Sequence, residues 1–223
     1  LLTTGVVNTS RGDFVVIDHI GPSFSSVVNP ATGGTIALSL LDITADPSAN
    51  ERYNFATAYE NFSSPTAGTT TSFEWVGSRE DLSLSDPGSS FSISIYGDAG
   101  GMPPAFGSTP LTTFVVAAAT TALPNDYNLY SANAAFNFAA GTQYWVAISN
   151  VLSYNVNGWG LAYSNLGSDL FSVQDYEPDS TVPVTRYTDS LNYAVRISAV
   201  PEPGSAVACL VGLGLVTFRR RRA

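Results

Sequence analysis

His19 is the only histidine in the 223-residue chain, so it limits what this protein could do with an imidazole. A zinc site built on several histidines is excluded, and a Ser-His-Asp triad would have one base to draw on. The context Ile17-Asp18-His19-Ile20 lacks the Gly-x-Ser-x-Gly turn that raises a serine nucleophile above a sheet. The sequence therefore places His19 at a solvent-facing strand end. Four carboxylates, Glu60, Glu74, Glu80 and Asp81, fall on or near strand patterns. A glycosidase needs two such groups about 5–10 Å apart across a sugar ring. Acidic residues are spread along the whole chain, nothing in their spacing marks a pair, and no catalytic residue is assigned.

Asp175-Tyr176-Glu177-Pro178-Asp179 places three carboxylates at alternate positions in a stretch that reads as turn-rich. A calcium loop would continue with glycine at its sixth position and a bidentate glutamate at its twelfth. Those positions hold Ser180 and Arg186, so the stretch is read as a solvated acidic loop and no metal site or cofactor is assigned. Aromatic residues make up 12% of the chain, enough to consider stacking on sugar rings. Tyr154, Trp159, Tyr163 and Tyr176 lie near Gly- and Asn-rich turns and are the candidates for carbohydrate contact. A carbohydrate-binding module is accordingly the alternative to a non-enzymatic surface protein, and an extracellular hydrolase is the third reading.

The charge balance narrows the partners. Setting aside Glu202 and the four C-terminal arginines leaves 17 acidic residues against five arginines, a net charge of -12, and lysine is absent throughout. Such a surface repels nucleic acid phosphates and excludes DNA or RNA as partners. The one cysteine, Cys209, permits no disulfide within the chain, so stability must come from packing.

The elements that would position these groups read as strands. Phe91, Ile93 and Ile95 alternate with serines, as do Tyr144, Val146 and Ile148 with Gln143, Trp145 and Ala147. Leu191, Tyr193, Val195 and Ile197 alternate with Asn192, Ala194, Arg196 and Ser198, and Phe73 and Trp75 with Ser72 and Glu74. Each file puts apolar side chains on one sheet face and mostly polar ones on the other. Weaker strand patterns cover 13–17, 35–41, 52–60, 111–118, 129–138 and 159–163. Turn chemistry separates them, as in Asp86-Pro87-Gly88, Gly97-Asp98-Ala99-Gly100-Gly101, Ala140-Gly141 and Asn157-Gly158. A short Ala/Thr-rich stretch near 117–122 is helix-like but too brief to assign. About ten short antiparallel strands predict an all-β chain, an antiparallel sandwich of jelly-roll type, followed by one C-terminal apolar helix.

That helix belongs to a tail with its own logic. Val200-Pro201-Glu202-Pro203 precedes an apolar run over 204–218, and Arg219, Arg220, Arg221 and Arg222 close the chain before Ala223. Four adjacent arginines remain on the cytoplasmic side of a bilayer, so the body would lie on the other side. As a helix the apolar run is roughly 22 Å long, against a hydrocarbon core of about 30 Å. It suits a short, transient membrane anchor. The predicted organisation is a body over 1–199, least patterned over 1–45, and a sorting tail over 200–223 with a transmembrane segment at 204–218.

In motif, span and basic stop this tail resembles the PEP-CTERM sorting signal of Gram-negative bacteria. The resemblance covers about a tenth of the chain. It implies export, transient residence in the inner membrane and processing by an exosortase-type enzyme. It also implies delivery to the cell surface or to an extracellular matrix associated with biofilm and exopolysaccharide, with polysaccharide as a possible partner. A protein with this tail needs an export leader. No signal peptide is visible at Leu1-Leu2-Thr3-Thr4, so the sequence is expected to start within or after its leader. The body, with Phe73-Glu74-Trp75-Val76-Gly77 and the Phe91 to Asp98 stretch, is similar to β-sandwich bodies found in front of such anchors. That similarity transfers no catalytic residue.

Overall fold

The computed structural model describes residues 13–21, 37–38, 55–79, 90–123, 127–150, 159–166, 171–177 and 183–202. Every regular element among them is a strand, and the paired strands run antiparallel. One sheet is built along a long strand, β4 (Gly68–Arg79). One side of β4 pairs with β16 (Val195–Pro201) and then β11 (Trp159–Leu161). Its other side pairs with β9 (Asn137–Phe138) and then β8 (Tyr127–Ala132). β1 (Phe14–Asp18) lies outside β16, β2 (Ala37–Leu38) outside β11, and β7 (Ala119–Ala122) outside β8.

The second sheet has the order β14 (Thr185–Asp189), β13 (Ser172–Glu177), β3 (Phe55–Phe62), β10 (Tyr144–Asn150), β5 (Ser90–Gly97), β6 (Thr112–Ala117). A short pair, β12 (Tyr163–Ser164) with β15 (Asn192–Tyr193), stands apart from both sheets.

The alternating files account for the main apolar cluster. Phe73 and Trp75 of the first sheet share it with Phe91, Ile93, Ile95, Val146 and Ile148 of the second, and Tyr193, Val195 and Ile197 also belong to it. Some of its rings stack, as Trp75 does on Tyr130 at 5.9 Å, and others meet edge to face, as Trp75 and Phe91 do at 5.0 Å. The edge-to-face geometry places the positive edge of one ring against the negative face of the other.

The second sheet is also covered on its other face. Trp145 and Ala147 of β10, in the file expected to be mostly polar, form a separate buried cluster with Tyr59 and Val173, against which Tyr96, Met102 and Phe171 pack. The loop after β5 lies over this face. Asp98 fixes it, with one carboxylate oxygen accepting the Gly101 N–H and the other the indole N–H of Trp145, both at 2.9 Å. These two donors hold the Asp98 carboxyl below the usual carboxylate range. Gly100 and Gly101 take φ of 76° and 84°, a conformation that side-chain-bearing residues rarely adopt.

The strand count exceeds the expected ten because several elements lack a visible period. All four residues of β7 are exposed, so Ala-Thr-Thr-Ala shows no inward file; the helix-like stretch is the last residue of β6, Ala118 and the whole of β7. β13 carries a buried acid, which breaks its apolar pattern, and Asp175 therefore lies in a strand between β3 and β14, not in a loop. Val200 and Pro201 pair with Thr69 and Gly68, and the Glu202 N–H donates to the Ala67 carbonyl at 3.2 Å. The apolar run 204–218 lies outside the described residues.

Gly68 makes this end of the ladder possible. A Cβ there would sit 2.6 Å from the Val200 carbonyl oxygen and 2.9 Å from the Phe138 ring. Gly68→Ala is expected to destabilise by about 1–3 kcal/mol as an overpacked site, read from the midpoint of urea unfolding. A loss below about 0.5 kcal/mol, the range of unremarkable surface changes, would show that β16 yields without cost.

Candidate functional site around Glu60

The polar side chains that the fold brings together out of water surround Glu60. β3 is flanked by β10 and β13, so Glu60 lies in the interior of its sheet, with Ser172 as its ladder neighbour on β13. Its side chain is 1% exposed. One carboxylate oxygen accepts the Tyr193 N–H of β15 at 2.5 Å, and the other accepts the Asn61 N–H at 3.1 Å. The carboxylate thus ties β3 to the separate short pair. Ionised acceptors make stronger hydrogen bonds than neutral ones.

His19 follows directly on β1 and is 8% exposed, so it is at a strand end but is not solvent-facing as the sequence suggests. Its N–H donates to the Val195 carbonyl at 3.0 Å, which draws the chain inward. Asp18 completes the turn by accepting the N–H groups of Ile20 and Gly21 and pairing with Arg196 at 3.0 Å. Burial pushes the Asp18 carboxyl up, but the Gly21 and Arg196 hydrogen bonds outweigh it and hold the group below its ordinary value.

The imidazole Nδ1 is 3.7 Å from Glu60, and Nε2 is 3.4 Å from the Asn192 amide nitrogen. Asn192 also donates to the Leu166 carbonyl at 2.7 Å and accepts the Phe171 N–H at 3.0 Å. An amide N–H facing Nε2 makes that nitrogen the acceptor and leaves the ring proton on Nδ1, toward the carboxylate.

Acid, imidazole and serine are the inventory of a hydrolase, but the arrangement differs. In a triad Nε2 takes a proton from the nucleophile. Here Nε2 faces an amide, which has no nucleophilic electron pair to activate, and Ser172 is fully buried. The Ser172 hydroxyl has no hydrogen-bond partner among the described residues. The cluster works as a clamp joining the end of β1, the second sheet and the β12–β15 pair.

The remaining sequence candidates fall elsewhere. Glu74 is on β4, in the other sheet from Glu60, and receives the Arg196 guanidinium at 2.8 Å. Glu80 and Asp81 lie outside the described residues. Asp175 is gripped by Arg186 through both carboxylate oxygens at 2.6 Å. Arg186 holds the twelfth position of the supposed calcium loop, whose described parts are the end of β13 and the approach to β14, and Asp175 already has a cation. Asp179 lies outside the described residues, and no group of three or more possible metal ligands occurs among those described.

Of the aromatic candidates, Tyr163 is in the core, stacked on Tyr193 with ring centroids 5.1 Å apart, and offers no open face to a sugar. Trp159 and Tyr176 lie in β11 and β13, with their side chains, like all of Tyr154, outside the described residues. Within the sorting motif, Val200 and Pro201 end β16 and Glu202 is exposed. Pro203 and Arg219 to Arg222 lie outside the described residues. Among the described residues no helix is long and apolar enough to cross a membrane.

Sequence reasoning missed Asn192, Ser172 and the role of Arg186. Asn192 sits on the polar side of a recognised file, and its conversion into a buried bridge depends on partners distant in sequence. Arg186 gave one usable signal: in a body with five arginines and 17 acids, an arginine within a strand has a carboxylate partner to find. No family model matches the chain, and neither the curated proteins nor the solved structures compared with it gave a match.

Proposed function

We propose that this is a non-enzymatic, exported bacterial protein of the cell surface or exopolysaccharide matrix. In this reading the two large sheets form a jelly-roll-like sandwich body. A PEP-CTERM-type tail holds it briefly in the inner membrane until an exosortase-type enzyme releases it. The observation that carries the reading is the order Pro201-Glu202-Pro203, apolar run, Arg219 to Arg222 at the end of an acidic, lysine-free chain. The sharing of one apolar cluster by strands of both sheets supports the sandwich. The body's strands run up to Pro201, so the motif begins where regular pairing ends.

A chain expressed with its leader and tagged near Ser10 and after Arg222 tests the proposal. The two tags are expected to separate when an exosortase-type enzyme is present, with the Ser10 tag leaving the membrane fraction. Both tags remaining together in that fraction, with or without the enzyme, would overturn it.

A further inference from the structure

We propose that the free edge of β6 is where two copies of this chain pair, antiparallel, about a two-fold axis near Val115. Among the described residues β6 pairs only with β5, leaving its outer row of N–H and C=O groups available to another strand. Proteins normally blunt such edges with lysine, proline, other charges or a bulge. Among the other edge strands, β7 (Ala-Thr-Thr-Ala) is uncharged like β6 but only four residues long, β2 has two residues, and β1 and β14 carry such devices. β1 has an irregularity between Val15 and Ile17 and ends at the Asp18–Arg196 ion pair. β14 carries Arg186 and Asp189. β6 reads Thr-Thr-Phe-Val-Val-Ala, with no charge, no proline and an unbroken register to β5 from Ile95–Thr112 to Ser90–Ala117.

Its outward file, with Leu111 just before it, is uncharged and mostly apolar. Leu111 is 60% exposed and Val115 72% exposed, two of the four large apolar residues that stand in solvent among the described residues. The inward file, Phe114 and Val116, packs against the main cluster. A strand added to this edge would extend the core on one face and cover Val115 on the other.

The charge distribution selects a second copy as the occupant. Between Asp98 and Asp169 the chain carries one charged residue, Asp126, while the rest of the body holds the other charges that make it strongly acidic. Two copies repel where those charges stand, and the two strands that form this edge, β5 and β6, carry none. An antiparallel two-fold pair is self-complementary: Val115 meets the partner's Val115, and Thr113 the partner's Ala117, on the same face. Directly opposed Cβ atoms in such a pair lie about 4.5–5.5 Å apart.

The full chain is tested in two ways, with the same tail in every variant. In sedimentation equilibrium the parent chain is expected to dimerise with rising concentration, and Val115→Lys to dimerise at least tenfold more weakly with an unchanged melting temperature. In a Cys209→Ser background, Val115→Cys is expected to form a disulfide-linked dimer under mild oxidation, and Tyr187→Cys on the opposite edge is not. A parent chain that stays monomeric, as it would if the edge received a foreign peptide, overturns the proposal. So does a Val115→Lys dimer of parental strength, or a Val115→Cys chain that cross-links only to a Tyr187→Cys chain. The cysteine variants decide the matter if Val115→Lys fails to fold.

Discussion

Arg186→Met is expected to destabilise the fold by about 3–5 kcal/mol, the cost of leaving a buried charge without its partner. Asp175 is 1% exposed, and Arg186 supplies both hydrogen bonds to its carboxylate. The same guanidinium donates to the carbonyls of Pro103 and Pro104 at 2.8 and 2.6 Å. It therefore holds β13, β14 and the loop over the second sheet at one point. The Asp175 hydrogen bond in turn raises the Arg186 pKa above its ordinary value. Arg186→Lys is expected to rescue little, because an ammonium cannot reproduce a planar fork with four acceptor atoms in fixed directions. Replacing both partners, as in Asp175→Leu with Arg186→Met, is expected to recover much of the loss. Urea unfolding of the three variants measures this, and a single-variant loss below about 1 kcal/mol, the level of an exposed pair, would mean that the carboxylate rehydrates.

Trp75→Ala is expected to cost about 3–5 kcal/mol through lost burial and the cavity left behind. Trp75 is fully buried, meets Phe91 of the other sheet edge to face and stacks on Tyr130 at 5.9 Å. Its indole N–H has no hydrogen-bond partner among the described residues, so a hydrophobic contact is what holds it there. Val115→Ala, at a position open to solvent in the single chain, is expected to change unfolding of dilute protein by no more than about 0.5 kcal/mol. Equal midpoint shifts for the two variants would place the core elsewhere.

These two sites show what a sequence exposes and what it hides. Trp75 sits in a file of alternating apolar residues, and period-two alternation is a local property of a half-buried strand. The files at Phe73, Phe91, Tyr144 and Tyr193 were therefore legible, as was the all-β class. Asp175 was not, since its burial depends on an arginine eleven residues away and on two proline carbonyls from another part of the chain. Trp145 was assigned to a polar face because nothing local announces that a loop will cover that side of the sheet. His19 was read as exposed because its burial depends on Glu60, Asn192 and the Val195 carbonyl, all remote in sequence. β7 left no trace because an outer strand with four exposed residues has no inward file to display.

The placement of β16 has a kinetic consequence. It is the last described strand, yet it lies between β1 and β4 and pairs with both, so that Phe14 meets Ala199 and Phe73 meets Ile197. The first sheet cannot close until β16 has been made, long after β1 and β4 have emerged. Contacts this far apart in sequence must overcome a large loop-closure entropy before they return any stability, and topologies dominated by them fold slowly. A nascent chain stalled before Val195 would hold β1 and the facing edge of β4 open, and release of β16 would set off the closure of the sheet.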